Sequence, residues 1–429
     1  MKNKITFLTM MLLATLFAIG QSHLFQTDRN FPQNPTLKSS LETKQQLDSL
    51  VTQIWDETNN QWVIGYKEGF IYDGNARLIQ DHDYEWDETN NAWEINEKNE
   101  YTYDANGNIS EILTYDWDEN NNQLVQDHKE EFTYDGSGKL IEDFDYRWDD
   151  LFAQWIFTHK NEYNYDALGN LSQRFYYGWD EISSQWEPNW KNEYIYGAND
   201  NLWQKLHYDW EAFSSQWVLN GKNEYSYDED GYLTQVMGYD WDEPNNQWVF
   251  SDKDENTYDA EGNLVQSIIY GWDESNSQWE PFLKEEYTYD DSYTFSNLII
   301  PYYFEDELGF SNHKLESIIA YLWDEAGSDW IEFSKSVLHY SEQNVGLNDE
   351  LGIAFFGVYP NPFSENFSLH FSGIPGQLTF SLFDIKGCKI FSKEIRYGET
   401  LNMEGLNYGM YFYSINLNGK RLNGKLIKQ

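Results

Sequence analysis

Tryptophan recurs along this chain with a fixed period, at Trp55, Trp86, Trp117, Trp148, Trp179, Trp210, Trp241 and Trp272, each 31 residues after the last. A ninth copy ends at Trp323, displaced by an insertion of about 20 residues. A period of this size marks a repeat architecture, in which one unit cannot bury its own apolar face and must share it with its neighbours.

Within one copy, Ile109, Glu111, Leu113, Tyr115 and Trp117 alternate with Ser110, Ile112, Thr114, Asp116 and Asp118. A period of two places each set on one face of a strand. The partner strand sets Trp93, Ile95, Tyr101 and Tyr103 against Glu94, Lys98, Glu100 and Thr102. Each repeat is therefore two strands with an aromatic face and a charged face, a pattern that suits an antiparallel sheet. The turns alternate too. Tyr103-Asp-Ala-Asn-Gly-Asn-Ile109 places Gly107 where a three-residue hairpin loop needs a left-handed residue, and that glycine recurs at 138, 169, 231 and 262. The other turn, Trp86 to Trp93, includes a copy with Pro244, which excludes a primed two-residue turn and favours a four-residue loop on a type I turn. That loop sets tryptophans opposite one another at 55/62, 86/93, 148/155, 179/186, 210/217, 241/248, 272/279 and 323/330, with Leu124 breaking the series.

The expected fold is all-β. It is an antiparallel meander of about nine 31-residue two-strand repeats, plus a small C-terminal Ig-like β-sandwich. Some 18 strands exceed the ~10 that a twisted open sheet carries, so the array should curl into a shell, spiral or large barrel with Trp and Tyr inside. A long flat sheet with its aromatic face exposed is the alternative.

The ends of the chain differ from the array. Lys2 and Lys4, an apolar run from Ile5 to Ile19 and the small-residue site at Ala18-Ile19-Gly20 have the layout of a signal peptide over 1–20. Residues 21–46 read as a flexible leader and 47–341 as the repeat array, with its insertion near 291–310. Residues 342–352 read as a linker, and 353–429 as a separate domain of short alternating strands. The whole chain carries −45, whereas 353–429 holds eight Lys/Arg against five acids, a net of +3. The array is thus strongly acidic, which repels nucleic acid and favours cationic partners or metal ions. Cys388 is the single cysteine, so packing and not disulfides must hold the array.

Pro360, Asn361 and Pro362 open that last domain, Asp384 and Gly387 mark a turn, Gly409 and Tyr411 a strand, and Lys425 a terminal Lys-Leu-Ile-Lys. This order of motifs resembles the type A C-terminal sorting domain of the type IX secretion system of Bacteroidetes. The resemblance implies a secretion-machinery partner, passage through the periplasm, and release or attachment at the outer surface, with no transmembrane segment in the mature protein. The Tyr-Thr-Tyr-Asp-Ala-Asn-Gly-Asn element resembles the YD repeats of Rhs-type shell proteins over about eight residues per copy. That likeness supports a coiled sheet.

Candidate chemistry is sparse. Asp-Glu pairs follow most of the first tryptophans, but neighbours on a strand face opposite ways, and a glycosidase needs one convergent pair. The acidic turns, represented by Asp118, Glu119 and Asn121, offer hard oxygen ligands for calcium and equally suit solvated turn chemistry. No motif demands a cofactor, and calcium is the ion those turns would take. Trp190 and Trp203 fall off the two repeat positions, and Trp203 should face outward by its parity. With Tyr302, Tyr303 and Phe304 of the insertion they are the candidate ligand-binding residues, for a polysaccharide or cell-surface partner. There is no HExxH, GxSxG, CxxC or phosphate loop, so no catalytic residue is assigned and a non-enzymatic binding, adhesive or structural module is expected. The alternatives are a calcium-stabilised scaffold or a glycan-active enzyme.

Overall fold

The computed structural model describes residues 42–197, 200–304, 311–345, 355–359, 363, 366–372, 378–383, 389–395, 400–417 and 420–428. The signal-peptide segment and most of the leader lie outside the described residues. Among the described residues strand accounts for 74% and helix for 2%. The contact pattern divides the chain into a unit built chiefly of 46–341 and a second that holds Glu342–Gln429.

The first unit begins with β1 (Glu42–Asp56), β2 (Gln61–Tyr72), β3 (Leu78–Asp87), β4 (Ala92–Tyr103), β5 (Ile109–Asp118) and β6 (Gln123–Tyr134). It continues with β7 (Leu140–Asp149), β8 (Gln154–Tyr165), β9 (Leu171–Asp180), β10 (Gln185–Tyr196), β11 (Leu202–Glu211) and β12 (Gln216–Tyr227). Then come β13 (Leu233–Asp242), β14 (Gln247–Tyr258), β15 (Leu264–Asp273) and β16 (Gln278–Thr294). The short β17 (Leu298–Ile299) lies in the insertion, and β18 (His313–Asp324) and β19 (Asp329–Val345) complete the array. Residues 42–46 and 342–345, expected as leader and linker, are thus strand.

The meander closes into an 18-strand barrel, with β19 paired back onto β1. Thr52 Oγ1 lies 2.8 Å from Ser336 Oγ across that seam, and Ser341 Oγ donates to Asp48 Oδ1 at 3.0 Å. Closure removes the free edges that an open sheet of this length would expose.

Both expected turns are present. Asp104 N donates to Asn108 O and Gly107 N to Asp104 O, closing a three-residue loop with Gly107 at φ 91°. Asp87 pairs with Ala92 across the four-residue loop 88–91, whose last residue Asn91 has φ 51°. All eight Trp pairs meet edge to face, with centroids 4.9–5.1 Å apart.

The faces, however, differ from simple alternation. Tyr103 pairs with Ile109 and Thr102 with Glu111, leaving Ser110 as an extra residue. Thr114 pairs with His128 and Tyr115 with Gln126, leaving Asp127 extra. Each bulge reverses the parity of its strand. As a result Ile109 and Ile112 share a face with Tyr101 and Tyr103, while Leu113, Tyr115 and Trp117 share the other.

The first of these faces is the inner one. It holds the fully buried row Ile109, Ile112, Phe132, Leu140, Tyr163, Leu171 and Tyr194. The Trp pairs lie on the outer face and are half-buried, which corrects the expectation that the repeat tryptophans lie inside the curled array with the tyrosines. There the repeat lysine of seven copies, from Lys98 to Lys284, sits over a tyrosine at 3.9–4.8 Å, as with Lys98 over Tyr115 and Lys160 over Tyr177. It also bridges a glutamate, as Lys98 does Glu100 at 2.8 Å. Cation–π contact and the lysine stem cover the rings, so they need no enclosed core. Successive repeats are tied on the inside as well, where Tyr134 Oη donates to Ile109 O at 2.8 Å and Tyr165 Oη to Leu140 O at 2.7 Å.

The second unit holds two sheets. One pairs β20 (Phe355–Tyr359), β21 (Asn366–Ser372) and β24 (Thr400–Asn402); the other runs β23 (Lys389–Ile395), β22 (Leu378–Phe383), β25 (Gly409–Leu417) and β26 (Lys420–Lys428). Phe367 and Leu401 of the first pack with Phe380, Leu382, Ile395, Ile415 and Leu426 of the second, as a sandwich requires.

Gly231 stands at φ 92° with open space where a Cβ would lie, so the cost of a side chain there is backbone strain alone. Gly231→Ala should lower stability by about 1–2 kcal/mol. An unchanged thermal unfolding midpoint would contradict that turn geometry.

Candidate functional site

The repeated positions of the inner face fall into two classes. One class is restricted in chemistry: Asn99, Asn161, Asn192 and Asn223 share a position that carries Glu68, Glu130, Asp254 and Glu285 in other copies, and Tyr101, Tyr163, Tyr194 and Tyr225 occupy the next inward-facing one. The other class changes from copy to copy. The position of Glu97 holds His128, His159, Trp190, Gly221 and Asp252 in later copies, and that of Asp83 holds Thr114, Asp145, Tyr176, His207 and Gly238. Restricted chemistry serves the fold, whereas variation confined to one wall gives that wall its own chemistry.

Burial falls along this wall. On β5, Ile109 and Ile112 are buried, Thr114 is half-buried and Asp116 is exposed; on β13, Leu233, Val236 and Gly238 are buried and Asp240 is exposed. The wall therefore meets solvent at the end carrying the four-residue loops, where Glu85, Glu94, Asp116, Glu187 and Asp240 are exposed.

Across β6 to β8 the wall carries a charged group. Asp145 Oδ1 lies 2.9 Å from His128 Nε2, and its Oδ2 lies 2.7 Å from His159 Nε2. Glu130 pairs directly with Asp145 in register, and one ligand atom each of His128, Glu130 and Asp145 falls within 4.8 Å of the others. Burial works to raise the Asp145 carboxyl, but the bonds from the two imidazoles outweigh it and hold it down at about 2. The same bond raises His128.

Next to this group runs an aromatic row. Tyr176 and Trp190 stack with planes 5° apart and centroids 4.9 Å apart. His159 flanks Tyr176 at 5.0 Å and His207 flanks Trp190 at 5.8 Å. Arg174 Nε donates to Asn161 Oδ1 at 3.0 Å, its guanidinium lies 5.3 Å from the Trp190 ring, and His207 Nδ1 lies 2.8 Å from Asn192 Oδ1.

Two further parts of the wall bring carboxylates together. Asp83 is pushed up to about 7 by burial, with Asp81 and Glu97 adding to the effect. Asp254 is likewise pushed up to about 7 by burial, then by Asp252 and Glu285.

The residues singled out from sequence are dispersed. Trp190 joins the aromatic row. Trp203 is the bulge residue of β11 and is 54% exposed, facing outward as its parity suggests. The insertion packs onto the inner faces of β2, β3 and β4. Phe304 meets Phe70 and Tyr302 meets Tyr101 edge to face, and Tyr303 Oη donates to Glu68 Oε1 at 2.7 Å. Asp118 closes its own turn, accepting from Asn120 N at 2.8 Å and from Asn121 Nδ2 at 2.6 Å, and Glu119 is exposed in the same loop. Pro360, Asn361, Pro362, Asp384 and Gly387 lie outside the described residues. Gly409 opens β25 at φ 143°, Tyr411 Oη donates to Asn407 O at 2.6 Å, and Lys425 pairs with Phe412. Sequence reasoning missed His128, Glu130, Asp145 and His159. Laying the copies over one another at the 31-residue period and taking the inner positions would have found them.

Residues 357–429 match the family described as Secretion system C-terminal sorting domain. The sorting domain indicates export to the cell surface or extracellular space. No curated protein matches the sequence. Among solved structures, the chain is similar to a protein of unknown function from Bacteroides fragilis, at 21% identity over 28% of this chain and 87% of that one, with a TM-score of 0.25. It is also similar to a porin-like protein from Bacteroides uniformis, at 8% identity over 74% of this chain and 100% of that one, with a TM-score of 0.33. Among the described residues no helix is long and apolar enough to cross a membrane.

Removing residues 357–429 should abolish export and leave the barrel inside the cell envelope; fractionation that finds the truncated chain in the medium at wild-type levels contradicts this. A second prediction concerns pH. Because the Asp254 carboxyl is raised in the folded protein, its contribution to stability is complete below the ordinary value near 3.8 and is lost as pH rises through about 7. Asp254→Asn should therefore stabilise the barrel at pH 8 by on the order of 2–4 kcal/mol and much less at pH 4, read from thermal melts at the two pH values.

Proposed function

We propose that the chain is an exported binding module whose ligand surface is the inner wall of the barrel, reached from the end carrying the four-residue loops, and that the ligand is a neutral glycan segment. The observation that supports this most strongly is the row His159, Tyr176, Trp190 and His207, at positions where other copies carry Glu97, Thr114, Gly221 or Gly238. Stacked rings fixed on strands present apolar area and polar edges without side-chain freedom left to lose, a combination that suits sugar rings. Arg174, Asn161 and Asn192 add hydrogen-bonding groups beside them.

Charge narrows the ligand. The exposed acids at the solvent end of the wall disfavour an anionic polysaccharide and leave neutral glycans favoured. We read the protein as a binder and not an enzyme, since the row contains no pair of carboxylates placed across a reacting bond.

Affinity electrophoresis of the mature chain through gels containing neutral polysaccharides tests this reading. One polysaccharide should retard the wild type, and Trp190→Ala should weaken that retardation at least tenfold, equivalent to about 1.4 kcal/mol. Retardation unchanged in Trp190→Ala and Arg174→Ala would contradict an inner-wall site.

A further inference from the structure

We infer that His128, Glu130 and Asp145 form a binding site for one divalent transition-metal ion of the zinc class, with His159 as the positioning residue for Asp145. This inference is independent of the glycan reading.

Geometry carries it first. Glu130 and Asp145 face each other across β6 and β7, and His128 lies two residues before Glu130 on the same inward face. One ligand atom from each falls within 4.8 Å of the others, a spacing that a single ion at about 2 Å from each donor can span. The side chains rise from paired strands and not from a loop, so the donors are held in place before any ion arrives.

The donor set selects the metal. One imidazole nitrogen with two carboxylate oxygens suits zinc and its neighbours in the first transition row, whereas calcium takes oxygen ligands in larger number. Three protein donors leave a fourth position of a tetrahedral ion for water or a ligand. Asp145 also has the support that metal-bound carboxylates usually have. Its other oxygen lies 2.7 Å from His159 Nε2, whose Nδ1 lies 3.2 Å from Thr158 Oγ1.

The repeat supplies an independent argument. Where Asn99, Asn161, Asn192 and Asn223 stand in four other copies, this copy has Glu130. Those asparagines hold the wall together, Asn99 Oδ1 accepting from Thr114 Oγ1 at 2.6 Å and Asn161 Nδ2 donating to Asp143 Oδ1 at 2.8 Å. Glu68, Asp254 and Glu285 also put a carboxylate at this point, but the residues two positions before them are Tyr66, Asp252 and Leu283, so among these copies the imidazole of His128 joins the carboxylate at Glu130 alone.

Calorimetric titration of the full mature chain with Zn²⁺, in physiological salt with excess Mg²⁺ to occupy diffuse acidic sites, tests the inference. The wild type should bind one equivalent. His128→Ala and Glu130→Gln should each weaken binding by at least 100-fold, and His159→Ala by about 10–100-fold. His339→Ala, on the exposed part of β19, should bind as the wild type does. Glu130→Gln keeps the size and shape of the side chain, so matching far-UV and near-UV circular dichroism for it and the wild type excludes misfolding as the cause of lost binding. Absence of stoichiometric zinc binding, binding that survives both ligand substitutions, or binding of Ca²⁺ in preference to Zn²⁺ would each overturn the assignment.

Discussion

The structure depends on two extra residues per repeat. Without the bulges at the Ser110 and Asp127 positions, Ile109 would share a face with Trp117, and neither face of the sheet could form one continuous wall. With them, each strand switches parity where it crosses from the three-residue-loop end to the four-residue-loop end. The medium-sized apolar residues and tyrosines gather inside at one end, the polar residues line the inner wall further along, and the tryptophans gather outside. Bulges also sharpen the local twist, and repeated around the array they help an 18-strand meander to curl until β19 reaches β1.

Much of this was legible in the sequence. The period gave the strand count, the glycine after Asp-x-x specified the three-residue loop, and Pro244 eliminated the two-residue alternative for the other. The pairing of Trp86 with Trp93 and its seven counterparts followed from loop length alone. The side on which those pairs lie did not follow. Face assignment rests on unbroken alternation, and no residue type announces a bulge: the extra residue is Ser110 in one copy and Trp203 in another. Trp203 faces outward because it is the bulge residue, although parity reasoning reached the same orientation. The charged group around Asp145 was hidden for a related reason. His128, Asp145 and His159 are far apart in sequence and become neighbours only through register.

Electrostatics connects the wall to what the barrel does. Seven lysines on the outside are each spent on a neighbouring glutamate and tyrosine, as at Lys191 with Glu193 and Tyr208, so they neutralise little of the inside. The inner acids are left to suppress their own ionisation, as Asp83 and Asp254 do, or to find imidazoles, as Asp145 does. An exported barrel of this kind keeps an acidic, partly desolvated interior next to one aromatic row. The sorting domain indicates export of the chain to the cell surface or extracellular space.

All of these readings require the sheet to be closed, and a crosslink across the seam tests that requirement most directly. Thr52 and Ser336 face each other with hydroxyl oxygens 2.8 Å apart although they are 284 residues apart in sequence. In a chain with Cys388→Ser, the pair Thr52→Cys and Ser336→Cys should oxidise to an intramolecular disulfide under mild conditions, giving a faster-migrating band on non-reducing gels. Two thiols that stay free in the folded protein would show that β1 and β19 do not meet and that the array is an open sheet with no inner wall.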